Sequence, residues 1–484
     1  MKLKELLQGV TVLGTNVPED LDISGVAYDS RKVTAGGLFV AVSGFQTDGN
    51  RFIPMALEKG AAAVVTTKKP EGDVPYVLVS SDRLALALIG ANYYGHPAEK
   101  MTMIGVTGTN GKTSVTLLLK QVLEKTLGAK VGLIGTVENC IGNEVLPTER
   151  TTPESFELQG LFRQMLDAGC THVVMEVSSH SIALDRVGGI RFRAAAFTNL
   201  TEDHLDFHHT MEAYCDTKAE LFARCDQAVL NRDDFWFDRM KAKAACPILT
   251  TSWHPGAGLY AEDVSLRADG VSFTAVLGEE RAKVSLPIPG SFAVSNGLTV
   301  LGLAAVLGIP LAKAASALSE AMGVKGRLEV VPTPGKPYTV LIDYAHTPDG
   351  LENVLSSVKG YCKGRLIAVF GCGGDRDPMK RPIMGAIGAK YADICIITSD
   401  NPRTEDPEAI IRQILAGMPE NSYIAIENRP KAIGYALDIA EKNDIIVLAG
   451  KGHETYQEIN GVKRHMDERE IVADHLAERL KSNG

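Results

Sequence analysis

Between Met101 and Lys125 the chain reads MTMIGVTGTNGKTSVTLLLKQVLEK, and this stretch constrains the fold more than any other. Residues 101–106 are a short apolar run of the kind that forms a buried parallel strand. Gly108 and Gly111 allow a tight turn whose backbone N–H groups point into one hollow. Thr113 then opens a helix with Val115, Leu118, Leu119, Val122 and Leu123 along one face. Strand, glycine turn, lysine and helix in that order build an anion hole for a nucleoside triphosphate, ATP or GTP. Lys112 is expected along the β and γ phosphates, and the Thr113 hydroxyl on Mg²⁺. The general form of this motif has a glycine where the chain has Val106, so the match is one residue short.

A chain of 484 residues has room for about three domains, each with its own core. Hydrophobic residues at 45% and charged residues at 23% are ordinary for a globular protein. A net charge of −9 with no basic stretch argues against nucleic-acid binding. The eight cysteines form no CxxC pair and read as reduced thiols, not as a disulfide frame or zinc site. The opening MKLKELLQGV lacks the apolar region of a signal peptide, and no run is long enough to span a bilayer. A soluble, cytoplasmic chain with no membrane insertion is expected.

Residues 1–100 read as a small α/β domain. A turn at Gly36-Gly37 leads into a buried strand ending near Val42, with helices expected over 53–59 and 84–93 and a strand over 61–66. Ser30-Arg31 and Gln46-Thr47-Asp48-Gly49 are polar loop clusters for which turn chemistry is sufficient reason. In the middle domain, Glu176 stands near the end of a strand over 172–177, and His204 follows a strand over 194–197. Ligands of open parallel sheets sit beyond the carboxyl ends of the strands. Both residues are therefore expected to face the crevice of the phosphate loop and to complete a Mg²⁺ shell, the carboxylate being the more natural ligand. A short strand over 228–230 and a helix over 290–308, around Asn296, follow.

In the last third, strands over 338–342, 366–370, 393–398 and 444–448 each end in a polar loop. One Rossmann-like sheet edge thereby gathers Arg376, Arg403, Lys451, His346, His453 and several acids. A rim so charged is a substrate site and not a second phosphate loop. Guanidinium grips carboxylate bidentately and Glu454 suits an ammonium group, so the rim fits a small amino-acid-like molecule. With a triphosphate site in the same chain, the pattern suggests joining that molecule to a carboxylate activated by phosphate.

The motifs TGTNGKT, MEVSSH, TNLTEDHLDFH, GRLE, DYAHTP, GCGGDRD and DNPR together carry a resemblance over essentially the whole length. The chain resembles the ATP-dependent Mur ligases of bacterial peptidoglycan synthesis, and within them the branch that adds meso-diaminopimelate. The resemblance implies an α/β protein of three domains: a UDP-binding domain (1–100), a central ATP-binding parallel-sheet domain (101–327) and a Rossmann-like amino-acid domain (328–484). It implies contacts to the UDP-MurNAc-dipeptide at Ser30, Gln46, Thr151, Thr152, Ser178 and Arg186. It implies contacts to ATP at Gly108, Thr109, Asn110, Gly111, Lys112, Thr113, Ser114, Asn296, Arg327 and Asp343. The diaminopimelate pocket it implies is Arg376, Asp400, Asn401, Pro402, Arg403, Gly450 and Glu454. Lys218 matches the lysine that is carbamylated in this family. An ammonium cannot ligate Mg²⁺, whereas its CO₂ adduct offers anionic oxygens. Catalysis is then expected from Lys112, Glu176, His204 and Lys218, with Thr113, Glu176, His204 and carbamylated Lys218 on Mg²⁺. Ala293 and Leu184 depart from residues common among relatives and weaken minor contacts only.

The implied reaction converts a substrate carboxylate to an acyl phosphate with ATP, and an amine of meso-diaminopimelate then displaces phosphate. The outer domains are expected to close on the centre and exclude water. Lysine lacks the distal carboxylate that Arg403 is placed to meet, a loss of roughly 3–5 kcal/mol, or about 10²–10³-fold in preference. A monomer with small-molecule substrates and no nucleic-acid partner is expected, in cell-wall biogenesis, cell shape and division. Two other readings compete. A folylpolyglutamate synthetase-like ligase would lack the DNPR loop and the N-terminal UDP-binding domain, and a nucleotide-switch protein would leave the charged rim unused.

Overall fold

The computed structural model describes residues 1–482 apart from 45, 46, 149 and 421. Its contacts divide the chain into two compact units, Met1–Thr251 with Thr299–Pro310, and Ser252–Leu298 with Leu311–Gly484.

The first unit begins with strands Val12–Thr15 (β1), Val26–Ala27 (β2), Leu38–Val40 (β3), Ala63–Thr66 (β4) and Tyr76–Val79 (β5). They lie in the order β1-β5-β4-β3-β2, with β1 antiparallel to β5 and the others parallel. Every residue of β3 and β4 is buried, as continuous apolar runs in a parallel sheet require. Helix Asp82–Tyr94 starts where the Ser81 side chain caps Leu84 N–H and stops at Gly95, whose φ of 74° a side chain would resist. It packs on helix Ser155–Asp167, with the Tyr93 and Tyr94 rings 5.7 and 5.3 Å from Phe156.

The second sheet of this unit holds Thr102–Thr107 (β6), Val131–Ile134 (β7), Asn139–Ile141 (β8), Glu144–Leu146 (β9), His172–Glu176 (β10), Ala194–Phe197 (β11), Ala228–Asn231 (β12) and Ile248–Ser252 (β13). Its order is β13-β12-β11-β6-β10-β7-β8-β9. Strands β13 to β7 are parallel, and β8 and β9 fold back antiparallel. The central β6 pairs Val106 with Glu176 of β10 and Thr107 with Phe197 of β11. That register brings the loops after all three strands to one edge. Helix Lys112–Leu127 buries Val115, Leu118, Leu119, Val122 and Leu123 to 1% exposure or less. At ~1.5–3 kcal/mol per fully buried side chain, this face anchors the loop before it. The helix begins at Lys112, one residue earlier than spacing predicts, because Gly111 at φ 86° is already the turn that ends the loop.

The second unit opens with an antiparallel meander of Leu259–Arg267 (β14), Gly270–Leu277 (β15) and Glu280–Leu286 (β16). Strands Glu329–Val331 (β17), Thr339–Asp343 (β18), Leu366–Phe370 (β19), Ile394–Ile397 (β20), Tyr423–Ala425 (β21) and Ile445–Ala449 (β22) form a further sheet in the order β17-β18-β22-β19-β20-β21. Apart from antiparallel β17, its strands are parallel. Apolar helix faces cover both sides, Leu351, Leu355 and Ile414 on one and Ile433, Leu437 and Val472 on the other. A hairpin, Tyr456–Ile459 (β23) and Val462–His465 (β24), follows. Among the described residues, no helix is long and apolar enough to cross a membrane.

Candidate active site

The phosphate loop leaves β6 at Thr107. A Cβ on Gly108, at φ 147°, would fall 1.9 Å from Thr198 Oγ1, so only glycine fits. The chain after β11 braces the loop: Thr109 N donates to Asn199 O (2.8 Å), Asn110 N to Asn199 Oδ1 (2.9 Å) and Thr198 Oγ1 to Asn110 O (2.6 Å). Lys112 Nζ folds back onto the carbonyls of Gly108 (3.0 Å) and Thr109 (2.8 Å). Thr113 and Ser114 are buried in the first turn of the helix.

Thr113 Oγ1 donates to Glu176 Oε1 at 2.9 Å, which joins the loop to the end of β10 as the strand order predicts. Glu176 is fully buried and also accepts from Thr136 N (2.8 Å) and Thr136 Oγ1 (3.0 Å). Among the described residues, no three His, Cys, Asp or Glu side chains form a metal cage. Mg²⁺ in nucleotide sites needs none, since it binds through one or two protein oxygens and the phosphates. Thr113 and Glu176 are donors of that kind.

Lys218 is 1% exposed, at the end of helix Met211–Ala219. Its Nζ donates to Gly108 O at 2.8 Å, lies 4.6 Å from the Tyr214 ring centroid and makes no ion pair among the described residues. Burial, reinforced by the nearby Lys112 cation, holds its amine well below the ordinary lysine range. His204, at φ 54°, sits edge-on to His180 (4.8 Å) and Tyr214 (6.2 Å), with Nε2 3.4 Å from Asp203 Oδ2. Desolvation lowers its pKa and that of His180, and desolvation with the neighbouring imidazoles pushes His208 down to about 4. A neutral imidazole is the form that ligates a metal.

Ser30 is buried, with Oγ 3.3 Å from Met55 Sδ, while Gln46 lies outside the described residues. Thr151 Oγ1 meets Thr136 Oγ1 at 3.0 Å, and Thr152 Oγ1 donates to Glu176 O at 2.9 Å. Ser178 caps helix Ser179–Ala183 through Ser181 N–H. Arg186 Nη1 donates to Thr152 O at 3.2 Å. The structure thus joins Thr151, Thr152, Ser178 and Arg186 to the Glu176 end of β10. Sequence reasoning missed three groups here. Thr136 is the hub between Glu176 and Thr151, and its place just beyond the carboxyl end of β7 was the available signal. Glu154 lies 3.5 Å from both Arg83 and Arg186, so one carboxylate is shared by two guanidiniums and a positive excess remains. Nothing local in the sequence pointed to that pairing.

In the second unit, β18, β22, β19 and β20 are neighbours and parallel, so their four polar loops do share an edge. Asp343 is buried, accepts from Leu328 N and Ala345 N at 2.8 Å each, and is pushed up by burial. Arg327 stacks 5.2 Å from the Tyr344 ring, and Asn296 is buried in helix Phe292–Val306. Arg376 is exposed and among the described residues bonds only locally, to Asp375 O. Pro402 O comes so close to Gly374 that a Cβ there would sit 1.9 Å away. Arg403, at φ 51°, donates from Nη1 to Gly374 O (2.6 Å), with Nε 3.5 Å from Glu458 Oε2. Asp400 and Asn401 are buried, and a Cβ on Gly450 would lie 2.5 Å from Asp400 Oδ2. Asn401 Nδ2 donates to Glu454 Oε2 (2.9 Å), and the same oxygen accepts from Lys451 Nζ (2.8 Å). The expectation that Glu454 meets an ammonium is therefore already half met by the chain's own lysine.

Three family models match the chain: "Mur ligase family, catalytic domain" over residues 22–96, "Mur ligase middle domain" over 106–304 and "Mur ligase, glutamate ligase domain" over 326–452. The UDP-N-acetylmuramoyl-L-alanyl-D-glutamate–2,6-diaminopimelate ligase of Caldanaerobacter subterraneus is 49% identical, covering 99% of this chain and 100% of its own length. The ligase of that name from Clostridium botulinum is 46% identical over 94% of this chain and 96% of its own. A solved structure of a UDP-N-acetylmuramoyl-L-alanyl-D-glutamate–2,6-diaminopimelate ligase superposes with a TM-score of 0.75 at 32% identity, covering 99% of each chain.

Proposed function

Because this chain belongs to the Mur ligase family, we propose from that premise that it is the ATP-dependent ligase joining meso-diaminopimelate to the D-Glu γ-carboxylate of UDP-MurNAc-L-Ala-D-Glu. The observation that carries the choice of amino acid is the rim of the second unit. Glu454 for an ammonium and Arg403 for a carboxylate are tied together there through Asn401 and the Glu458 segment. An acid and a guanidinium on one polar network suit a zwitterion that bears an additional carboxylate.

The substrate γ-carboxylate attacks the γ-phosphorus of ATP, ADP leaves, and an acyl phosphate results. An amine of meso-diaminopimelate adds to the acyl carbon, and the tetrahedral adduct loses phosphate and a proton to give the amide. Lys112, now on the Gly108 and Thr109 carbonyls, turns to the β and γ phosphates, and the loop N–H groups offset the charge gathering on the transferred group. Asn296, Arg327 and Asp343 serve the nucleotide side. Ser30, Gln46, Thr151, Thr152, Ser178 and Arg186 hold the UDP-MurNAc-dipeptide. The positive excess around Glu154 favours an anionic substrate.

The oxygen donors Thr113 and Glu176 fit Mg²⁺, and with His204 and Lys218 as a carbamate they would hold it; when bound it supplies charge neutralisation across the phosphates. Lys218 is prepared for that modification. Burial and the nearby Lys112 cation lower the pKa of its amine and so favour the neutral form, whose nitrogen lone pair adds to CO₂ with release of one proton, leaving an anionic carbamate. The division into three domains near residues 100 and 327 belongs to the same proposal, as do a cytoplasmic location and a monomeric state.

The test is phosphate release and product mass with UDP-MurNAc-L-Ala-D-Glu, ATP and either meso-diaminopimelate or L-lysine. Release should depend on the amino acid and favour diaminopimelate by about 10²–10³-fold. Equal turnover with lysine would remove the assignment of Arg403, and release without any amino acid would remove the ligase reading.

A further inference from the structure

Lys451 stands between Gly450 (φ 112°) and Gly452 (φ 55°), just beyond β22, and its side chain is completely buried. Nζ donates to Asn401 Oδ1 (2.7 Å) and Glu454 Oε2 (2.8 Å), lies 3.9 Å from Asp400 Oδ1, and sits 5.3 Å from the Tyr456 ring centroid. These contacts leave the Asn401 amide one orientation. Its Oδ1 accepts from Lys451 and from Glu458 N (2.9 Å), so Nδ2 is turned to Glu454 Oε2 (2.9 Å). A flipped amide would face two donors with a third. Glu454 is divided in consequence. Oε2 takes two charge-assisted or amide hydrogen bonds, while Oε1 accepts none among the described residues, and the side chain keeps 14% exposure.

Resting on the reading of Asp400, Asn401, Arg403 and Glu454 as the amino-acid pocket, we propose that Lys451 is a positioning residue that fixes Glu454 so that Oε1 alone meets the ammonium of the incoming amino acid. An unrestrained glutamate on a loop turns between rotamers, and its carboxylate spins about the last bond. Lys451 and Asn401 lock both motions, so the pocket is ordered before the substrate arrives. The lysine touches no substrate and works through the carboxylate.

The arrangement makes an unusual demand on Glu454 variants. In Glu454→Gln the amide oxygen must stay with the Lys451 and Asn401 donors, which forces the amide nitrogen into the Oε1 position and aims a donor at an ammonium. Glu454→Gln should therefore be the more damaging change, raising KM for meso-diaminopimelate about 100-fold, against about 10-fold for Glu454→Ala. Lys451→Met should raise the same KM about 10–100-fold, leave KM for ATP within about 2-fold, and add nothing further to Glu454→Ala.

The experiment uses the full chain with UDP-MurNAc-L-Ala-D-Glu, ATP and Mg²⁺, varying meso-diaminopimelate and then ATP. A purely structural lysine would raise the KM for every substrate together, and that result overturns the proposal. So does a Glu454→Gln enzyme no worse than Glu454→Ala, a comparison that leaves Lys451 intact and decides the matter if Lys451→Met does not fold. Wild-type enzyme idle with meso-diaminopimelate overturns the functional reading and this inference with it, whereas an active wild type with Gln no worse than Ala overturns the inference alone.

Discussion

Lys218 and Lys451 are both sealed from solvent, one in each unit of the molecule, and their neighbours differ in one respect. Lys218 has a backbone carbonyl and an aromatic ring, with a second lysine nearby to repel its charge. Lys451 has Glu454 at 2.8 Å and Asp400 at 3.9 Å to neutralise an ammonium. An ion taken out of water without a partner costs several kcal/mol, so burial at Lys218 favours the neutral amine, the form that the proposed carbamylation requires. The paired lysine stays put and orders the side chains around it. On the proposed roles, the acidic or neutral character of the nearest groups, and not depth of burial, divides chemistry from scaffolding.

The largest effect is expected at the unpaired lysine. Lys218→Met should lower the ligase rate by at least ~10²-fold, the scale on which lost metal-supporting groups act. Wild-type activity should fall in CO₂-depleted buffer and return with bicarbonate. Near-normal rates in Lys218→Met would break the comparison at its first step. Next comes Arg403→Ala, for which the preference for meso-diaminopimelate over lysine should shrink by about 10²–10³-fold, nearly all of it from loss with diaminopimelate. The ratio of the two kcat/KM values reads this directly, and an unchanged ratio means the guanidinium is not the selector.

Stability separates the two lysines in opposite directions. Removing one member of the buried cluster with Lys451→Met should destabilise the second unit by about 3–5 kcal/mol, seen as a lower urea midpoint, while Lys218→Met should leave the midpoint unchanged or raise it. The smallest effect is its pH dependence. Because burial holds the folded pKa of Lys218 below the ordinary lysine range, the folded chain sheds this proton before the unfolded chain does. Through that window the unfolded state binds more protons, so wild-type stability in CO₂-free buffer rises with pH relative to Lys218→Met. A difference that stays flat up to about pH 10 would mean that Lys218 titrates like an exposed lysine.

The phosphate loop was legible in the sequence because strand, turn and helix are local. Gly108 and Gly111 sit at positive φ, and the five apolar positions of the helix are the ones it buries. The meeting of Glu176 with Thr113 was legible too, since strand ends in a parallel sheet converge. What escaped depends on partners far apart in the chain. Thr136 bridges Glu176 and Thr151 across a strand, and Glu154 draws in Arg83 from a helix and Arg186 from a turn about a hundred residues later in the chain. Lys451 reads as one more rim charge in Gly-Lys-Gly-His-Glu, and only the packing of Asn401, fifty residues earlier, turns it inward. Asp343, expected beside the nucleotide, is tied to the backbone of Leu328 and Ala345, and that role has no signature in spacing.

Carbon NMR of the protein in ¹³C-bicarbonate tests the central claim most directly. Wild-type enzyme and Lys451→Met should both show a carbamate carbon that Lys218→Met lacks. A spectrum without that signal in the wild type, or one in which it survives the loss of Lys218, would contradict the assignment of an unprotonated, CO₂-binding amine to this position.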